Sequence, residues 1–438
     1  LLPAVNAARE AARRTQCSNL SQLIEKDKAM LNGDHGPATK MAMSIMVRMA
    51  EVYQADTLMD ISAAHVDGTV YMGDATLEFA ERLANFGAKV VVPTTLNVSA
   101  LDEHHWQEWS VPEDWASKAH RQMVAYDSMG CVPTWTCAPY QTDLRPSFGQ
   151  QIAWGESNAI AFANSVIGAR TERYPDLLDV CAAITGRVPA AGLHLTENRV
   201  GQLHLRLVDI PADLQADDAF YPVLGHFMGK VAGDLIPVIE GICVTPEEDQ
   251  LKAFGAAGAS SGAVALFHMV GVTPEAETLE AAFQGQKPRQ TIDITMDTLR
   301  KARQELTTAS GEKLDMVVLG SPHFSLAEFK QLAPLLEGQK RHPDVEFLVT
   351  SSRAMAALAD KAGFIESLRK FGAKITVDTC ILTTPMLPDT IKILMTNSAK
   401  YAYYSPGLLE TQVVFGKLED CVQSAVTGKV TRDETLWE

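Results

Sequence analysis

Two stretches of this chain share one grammar: Phe86-Gly-Ala-Lys-Val-Val-Val-Pro-Thr-Thr95 and Phe371-Gly-Ala-Lys-Ile-Thr-Val-Asp-Thr-Cys380. In each, a helix ends at a glycine, an apolar strand follows, and the strand runs into polar residues. The spacing predicts strands over Lys89–Pro93 and Ile375–Val377. Thr94, Thr95 and Cys380 should then sit at carboxyl ends of strands, where open α/β sheets bind their ligands.

The alternation continues outward. Apolar Ala38, Met41, Ala42, Ile45, Met46 and Met49 recur at helical spacing from Pro37, and proline at the first helical position suits that start. Thr57–Ile61 reads as a strand and Ala75–Asn85 as a helix stopped by Gly87. Ile152–Gly168 reads as one long alanine-rich helix carrying Asn158, Asn164 and Ser165. Leu314–Leu319, Val345–Val349, Ile375–Val377 and Ile391–Met395 are short apolar runs, each followed closely by Ser, Thr, Asn or Gly. Helices alternating with strands favour mainly parallel sheets, so the fold class is α/β. Gly285–Gln290 interrupts the apolar periodicity, which divides the chain into 1–285 and 286–438.

Composition agrees with a multidomain fold. The 438 residues are 46% hydrophobic and 21% charged, too apolar for a disordered chain. Lys and Arg total 38 against 54 Asp and Glu, a net charge of −16. That excludes a broad cationic surface for nucleic acid or anionic lipid, though not a local basic pocket. The seven cysteines are odd in number and sparse, and no Cys-x-x-Cys occurs. They read as reduced thiols of a cytoplasmic protein rather than as disulfides or a structural zinc site. The run Gly255–Gly271 is broken by Ser260, Ser261 and His268, so no membrane span is expected. The chain begins Leu1-Leu-Pro rather than with Met, which raises the expectation of upstream sequence.

Several groups are candidates for chemistry. Thr136-Cys137-Ala138-Pro139-Tyr140, Gly320-Ser321-Pro322-His323 and Asp378-Thr379-Cys380 place thiols or hydroxyls in turns where backbone N–H groups stabilise anionic sulfur. Cys17, Cys243 and Cys421 read as small buried hydrophobes. Alternation along Ala64-His65-Val66-Asp67 would place His65 and Asp67 on the same side, suited to proton transfer. Lys40, on the polar side of the first helix, could balance a carboxylate. Thr94, Thr95, Asn97, Asn164 and Ser165 are neutral groups suited to a ring nitrogen or carboxylate.

Taken together, Asp60–Gly68, Val92–Asn97, Thr136–Tyr140, Ala153–Ser157, Phe162–Thr171, Gly255–Gly262 and His268 resemble the catalytic large region of the aconitase X family, from about residue 20 to 420. The resemblance implies α/β units around a central cleft, completed by a small swivel domain that this chain lacks, whether fused upstream or supplied as a separate subunit. It implies an iron–sulfur hydro-lyase. Glu172–Asp176 and Ser321 are similar to the branch that dehydrates cis-3-hydroxy-L-proline to Δ1-pyrroline-2-carboxylate. The alternatives are mevalonate 5-phosphate dehydration and a catalytically silent, iron-sensing member.

On that resemblance, a 2Fe–2S cluster would be held by Cys137, Cys380 and a third thiol, with Cys181 ahead of Cys131, because a serine at 321 ligates soft iron poorly. The substrate carboxylate would meet the Gly258–Gly262 turn through Ser260 and Ser261, with charge from Arg170 or Arg173. Ser321 and His323 join the pocket. The base for the α-proton is expected on the small domain.

Overall fold

The computed structural model describes residues 23–438. Leu1 and Cys17 lie outside them. The helix expected from Pro37 spans Pro37–Val52 and buries Ala38, Ala42, Met43, Met46, Val47 and Ala50. Beyond it, β1 (Leu58–Asp60) pairs antiparallel with β5 (Arg187–Pro189). Next to this ribbon, β2 (Ala64–Val66) lies parallel between β3 (Thr94–Leu96) and β4 (Ala153–Trp154).

A second parallel sheet has the order β8 (His268–Met269), β7 (Pro237–Glu240), β6 (Leu203–Leu207) and β9 (Gln290–Ile294). The division expected at residue 285 falls between β8 and β9 of this sheet. The third sheet is parallel throughout, in the order β12 (Lys374–Val377), β11 (Glu346–Ser351), β10 (Met316–Leu319), β13 (Ile393–Thr396) and β14 (Gln412–Phe415). Parallel strands covered on both faces read as continuous apolar runs, which is why these were legible.

Two expected elements differ. Lys89–Pro93 forms no regular strand: the N–H groups of Val90 and Val91 donate to Met129 and Ala183 carbonyls, and Pro93 has none to donate. The ladder with β2 starts at Thr94, so Thr94 and Thr95 lie within β3 rather than after it. Ile152–Gly168 is also not one helix. Ala153–Trp154 extends beside β2, and the Glu156 side chain then accepts from Ala159 N–H at 2.8 Å and starts a new helix, Ser157–Phe162. Ala163–Ile167 continues it as a π turn, stopped by Gly168 in the left-handed region.

The three sheets are locked together. Met316, Val318 and Leu348 of the third sheet and Cys380 beyond it pack into the core of the first, whereas Val413 and Phe415 of β14 pack into the second. Among the described residues, no helix is long and apolar enough to cross a membrane.

Candidate functional site

The first and third sheets point their carboxyl ends at a shared cavity of about 470 Å³. After β2 come Asp67 and Gly68, after β3 Asn97 and Val98, and after β4 Glu156. The third sheet contributes Gly320 and Ser321 after β10, Cys380 after β12 and Lys400 after β13. Cys137, on the loop running beside β3, and Asp176 also line the cavity, with Thr76, Thr383 and Tyr404. Crevices outside strand carboxyl ends are where α/β sheets bind ligands.

Cys137 and Cys380 therefore meet at one cleft although 243 residues separate them in the chain. Their loops share one tether. The His323 N–H donates to Cys137 Sγ at 3.2 Å, and the His323 ring bonds Thr136 Oγ1 at 3.2 Å through Nδ1 and the Thr379 carbonyl at 3.1 Å through Nε2. Asn158 donates to the Cys137 carbonyl at 3.0 Å and is itself held by the Tyr140 hydroxyl at 2.9 Å. On the other loop, Thr383 Oγ1 donates to the Cys380 carbonyl at 3.2 Å. Burial pushes the Cys137 thiol up to about 12, with Lys400 drawing it down and Glu156 raising it further. Burial raises Cys380 too.

Lys400 and Glu156 form a buried ion pair at 2.6 Å. Burial opposes the charge on Lys400, but Glu156 and the two nearby thiols hold the ammonium above its ordinary range. Sequence reasoning missed this pair. Lys400 is the second residue of the helix Ala399–Leu408, capped by the Ser398 side chain, and Glu156 caps another; charged residues at helix starts ordinarily face water.

Asp67 carries a second polar cluster. Its Oδ1 accepts from Asn97 Nδ2, and its N–H donates to Asp179 Oδ2 at 2.5 Å. Burial, with Glu156, Asp176 and Asp179 adding like charge, raises Asp67 well above the carboxylate range. Burial pushes Asp179 up to about 7. Only glycine fits at position 155, since a Cβ there would lie 2.3 Å from Asp179 Oδ2 and 2.8 Å from Asp67 Cβ.

His65 does not join Asp67. Its Nδ1 bonds Thr95 Oγ1 at 2.8 Å beneath the cleft, its ring packs on Trp154, and burial drives it down to about 3. The strand ends at Val66, so alternation no longer governs Asp67. Thr94 Oγ1 donates back to the Val92 carbonyl.

Other expected pocket residues are occupied by the fold. Asn164 bonds Thr171, Ala265 and Arg199, and Ser165 accepts from Phe267 N–H. Arg170 bonds the His194 carbonyl and Thr196, 3.8 Å from Glu275. Arg173 lines a separate cavity beside Glu172 and Leu193. Lys40 is exposed.

Ser260 and Ser261 are a correction. The helix Glu248–Ser261 starts at a capping box of Glu247 and Gln250, so the glycine-rich segment is its C-terminal end, the wrong end of the dipole for an anion. Both hydroxyls are spent on backbone carbonyls, Ser260 on Ala256 and Ser261 on His226 and Ala257. The glycines admit the helix Phe220–Ala232: a Cβ on Gly258 would lie 2.2 Å from Met228 Cε, and one on Gly225 of that helix 2.3 Å from the Phe254 carbonyl oxygen.

Cys181 is a second correction. It is buried in the first core on the helix Leu178–Thr185, every residue of which is buried, and it does not line the cavity. Cys131 is in the same core, Cys421 is buried elsewhere and Cys243 is exposed. Among the described residues, no three His, Cys, Asp or Glu side chains converge as a metal site. The three-thiol set does not fit this structure, while Cys137 and Cys380 both line the cavity.

Comparison with known proteins places these observations in a family. Models described as the aconitase X first, second and third domains match residues 21–197, 203–304 and 314–427. Over 414 residues the chain is 46% identical to the cis-3-hydroxy-L-proline dehydratase of Pseudomonas aeruginosa, covering 94% of this chain and 71% of that protein. It is 34% identical to the phosphomevalonate dehydratase large subunit of Methanocaldococcus jannaschii, covering 92% and 99%. The crystal structure of Thermococcus kodakaraensis aconitase X in its holo-form superposes with a TM-score of 0.82 at 33% identity, covering 92% of this chain and all of that one.

Proposed function

This chain belongs to the aconitase X family, and from that premise we propose that it is a dehydratase converting cis-3-hydroxy-L-proline to Δ1-pyrroline-2-carboxylate. The observation that carries the reading is the convergence of Asp67, Cys137, Cys380 and Lys400 on one cavity between two sheets. The imino-acid substrate is supported by the 46% and 45% identities to two cis-3-hydroxy-L-proline dehydratases, against 34% to a phosphomevalonate enzyme. Ser321, facing the cavity, supports the same choice.

In the reaction a base takes the α-proton and the 3-hydroxyl leaves with a proton from an acid, so that one water is lost overall. The ring keeps a carbon–carbon double bond as an enamine, which tautomerises to the imine. Asp67, whose carboxyl is raised well above the carboxylate range by burial and neighbouring carboxylates, donates the proton that accompanies the departing hydroxyl. Lys400 orients the substrate carboxylate, in place of the expected Arg170 or Arg173. Ser321 and Asn97 contribute neutral contacts.

Cys137 and Cys380 would hold an iron–sulfur centre, 2Fe–2S in our reading, with further ligands from outside the described residues; it would supply a Lewis acid for the departing oxygen. A small domain or subunit would complete the cleft and bring the base for the α-proton. The span of only 71% and 69% of the two hydroxyproline dehydratases, and the words "large subunit" in the archaeal relative's name, support that partner. The free thiols suit a reducing cytoplasm.

Anaerobic purification of the complete protein with its companion domain or subunit, followed by assays on both substrates, tests the reading. Release of Δ1-pyrroline-2-carboxylate from cis-3-hydroxy-L-proline is the expected result. Turnover of mevalonate 5-phosphate alone would move the chain to the other branch, and an iron-loaded protein inert toward both would make it a silent member.

A further inference from the structure

The second sheet gives the cleft no wall. Among the described residues, those lining the cavity fall between Asp67 and Leu177 and between Gly320 and Leu408, and none comes from residues 203–304. One side chain of that unit nevertheless reaches the site from behind. Lys252, on the helix Glu248–Ser261, is buried, and its Nζ donates to the His323 carbonyl at 3.4 Å.

Two carboxylates hold the ammonium in place. Asp249, one turn earlier on the same helix, pairs with it at 2.8 Å, and Glu328 pairs with it from the side of the third sheet. Both carboxylates are tied in turn to the loop after β10. Ser325 Oγ donates to Asp249 Oδ2 at 2.6 Å, and the Ser325 N–H donates to Glu328 Oε2 at 2.7 Å, within the capping box that starts the helix Leu326–Leu336. Burial opposes the charge on Lys252, but Glu328 and Asp249 hold the ammonium above its ordinary range. A lysine buried among carboxylates gains little stability over apolar residues of the same size. What this one adds is a fixed donor aimed at the backbone of His323, whose N–H meets Cys137 Sγ and whose ring meets the Thr379 carbonyl. Groups one step behind a reactive side chain commonly set its orientation.

We propose that Lys252 is a positioning residue: by holding the His323 carbonyl it fixes the loop after β10 and, through it, the sulfur of Cys137 and the loop of Cys380, so that the second domain serves a cleft it does not line. The inference rests on the reading that these thiols work in the cleft, and adds to it the residue that keeps them in register.

The test uses the complete protein. Lys252→Met removes the donor. Paired with Glu328→Gln it does so without leaving that carboxylate buried and uncompensated, and the paired variant decides where the single one fails to fold. After chelation of any bound metal, alkylation of each cysteine by iodoacetamide is timed by mass spectrometry, with the buried Cys181 and Cys421 as clocks for general opening. In the paired variant Cys137 should react at least about tenfold faster, the factor that one charge-assisted hydrogen bond is worth, while Cys181 and Cys421 keep their native rates. In the loaded enzyme, kcat on cis-3-hydroxy-L-proline should fall by a similar factor at unaltered KM, and Lys252→Arg, which keeps a cation for the carboxylates, should retain more of the native behaviour than Lys252→Met. An unchanged Cys137 rate in the paired variant, or an equal rise at all three cysteines, overturns the role. If the native enzyme turns over neither substrate but Cys137 alone is loosened, the dehydratase reading fails and the positioning of the thiol stands.

Discussion

The His323 backbone N–H donates to Cys137 Sγ at 3.2 Å, while the same residue's imidazole bonds Thr136 and Thr379, the chain neighbours of Cys137 and Cys380. One residue on the loop after β10 thus ties the loop of Cys137 to the loop of Cys380. Burial drives His323 down to about 4, so its ring is neutral near pH 7, with one nitrogen donating and the other accepting.

Replacing the ring should therefore loosen both thiols without unfolding the protein. In His323→Ala, iron affinity and kcat should each fall about 10–100-fold, the usual effect of losing a group that orients metal ligands. Elemental analysis beside far-ultraviolet circular dichroism separates this from unfolding. Full iron occupancy in the variant would show that the thiols are held without the ring.

Cys181 and the cleft thiols should part company under mutation. Cys137→Ser or Cys380→Ser should abolish bound iron. Cys181→Ala should keep it and cost only about 1–2 kcal/mol of stability, as loss of a small buried side chain does. Loss of iron in Cys181→Ala would return that residue to the ligand set.

The packing of the helix Phe220–Ala232 on the glycine-rich helix yields a prediction of a different kind. In Gly225→Ala the new Cβ meets the Phe254 carbonyl oxygen at 2.3 Å, a backbone atom that cannot swing aside. Overpacking of this sort costs about 1–3 kcal/mol, so the thermal midpoint should drop. Ser261→Ala should leave KM unaltered, since the hydroxyl bonds the His226 and Ala257 carbonyls rather than the cavity. A raised KM would put Ser261 back in the pocket.

Which parts of this site were legible follows from what each residue type does by default. The strands of the third sheet and the loops of Cys137 and Cys380 could be read because continuous apolar runs ending in polar residues have few other meanings. Lys400 and Glu156 could not, since a charged residue at a helix start is ordinarily solvated, and only the fold closes a cavity over them. The Gly258–Gly262 segment suits both an anion and a neighbouring helix. Its sign was decided by where the helix begins, and the pair Glu247 and Gln250 was the available signal. Asn164 and Ser165 look like ligand groups in sequence but serve a π turn whose buried backbone needs partners.

Asp179 joins stability to catalysis through its bond to the Asp67 N–H. Its carboxyl has an ordinary value of 3.8 and is pushed up to about 7 by burial. A group raised on folding gives stability that is fully present below its unfolded value and lost as pH rises through the folded one. The thermal midpoint should thus decline between pH 4 and 7, less steeply in Asp179→Asn, whose amide oxygen can still accept from Asp67 N–H. The same substitution removes one of the like charges that raise Asp67. Since the acid is needed in its protonated form, kcat should fall as pH rises through the Asp67 value, and in Asp179→Asn that fall should begin at lower pH. Midpoints and pH–rate profiles of the two proteins check both halves. An unmoved alkaline limb would remove Asp67 from the role of proton donor.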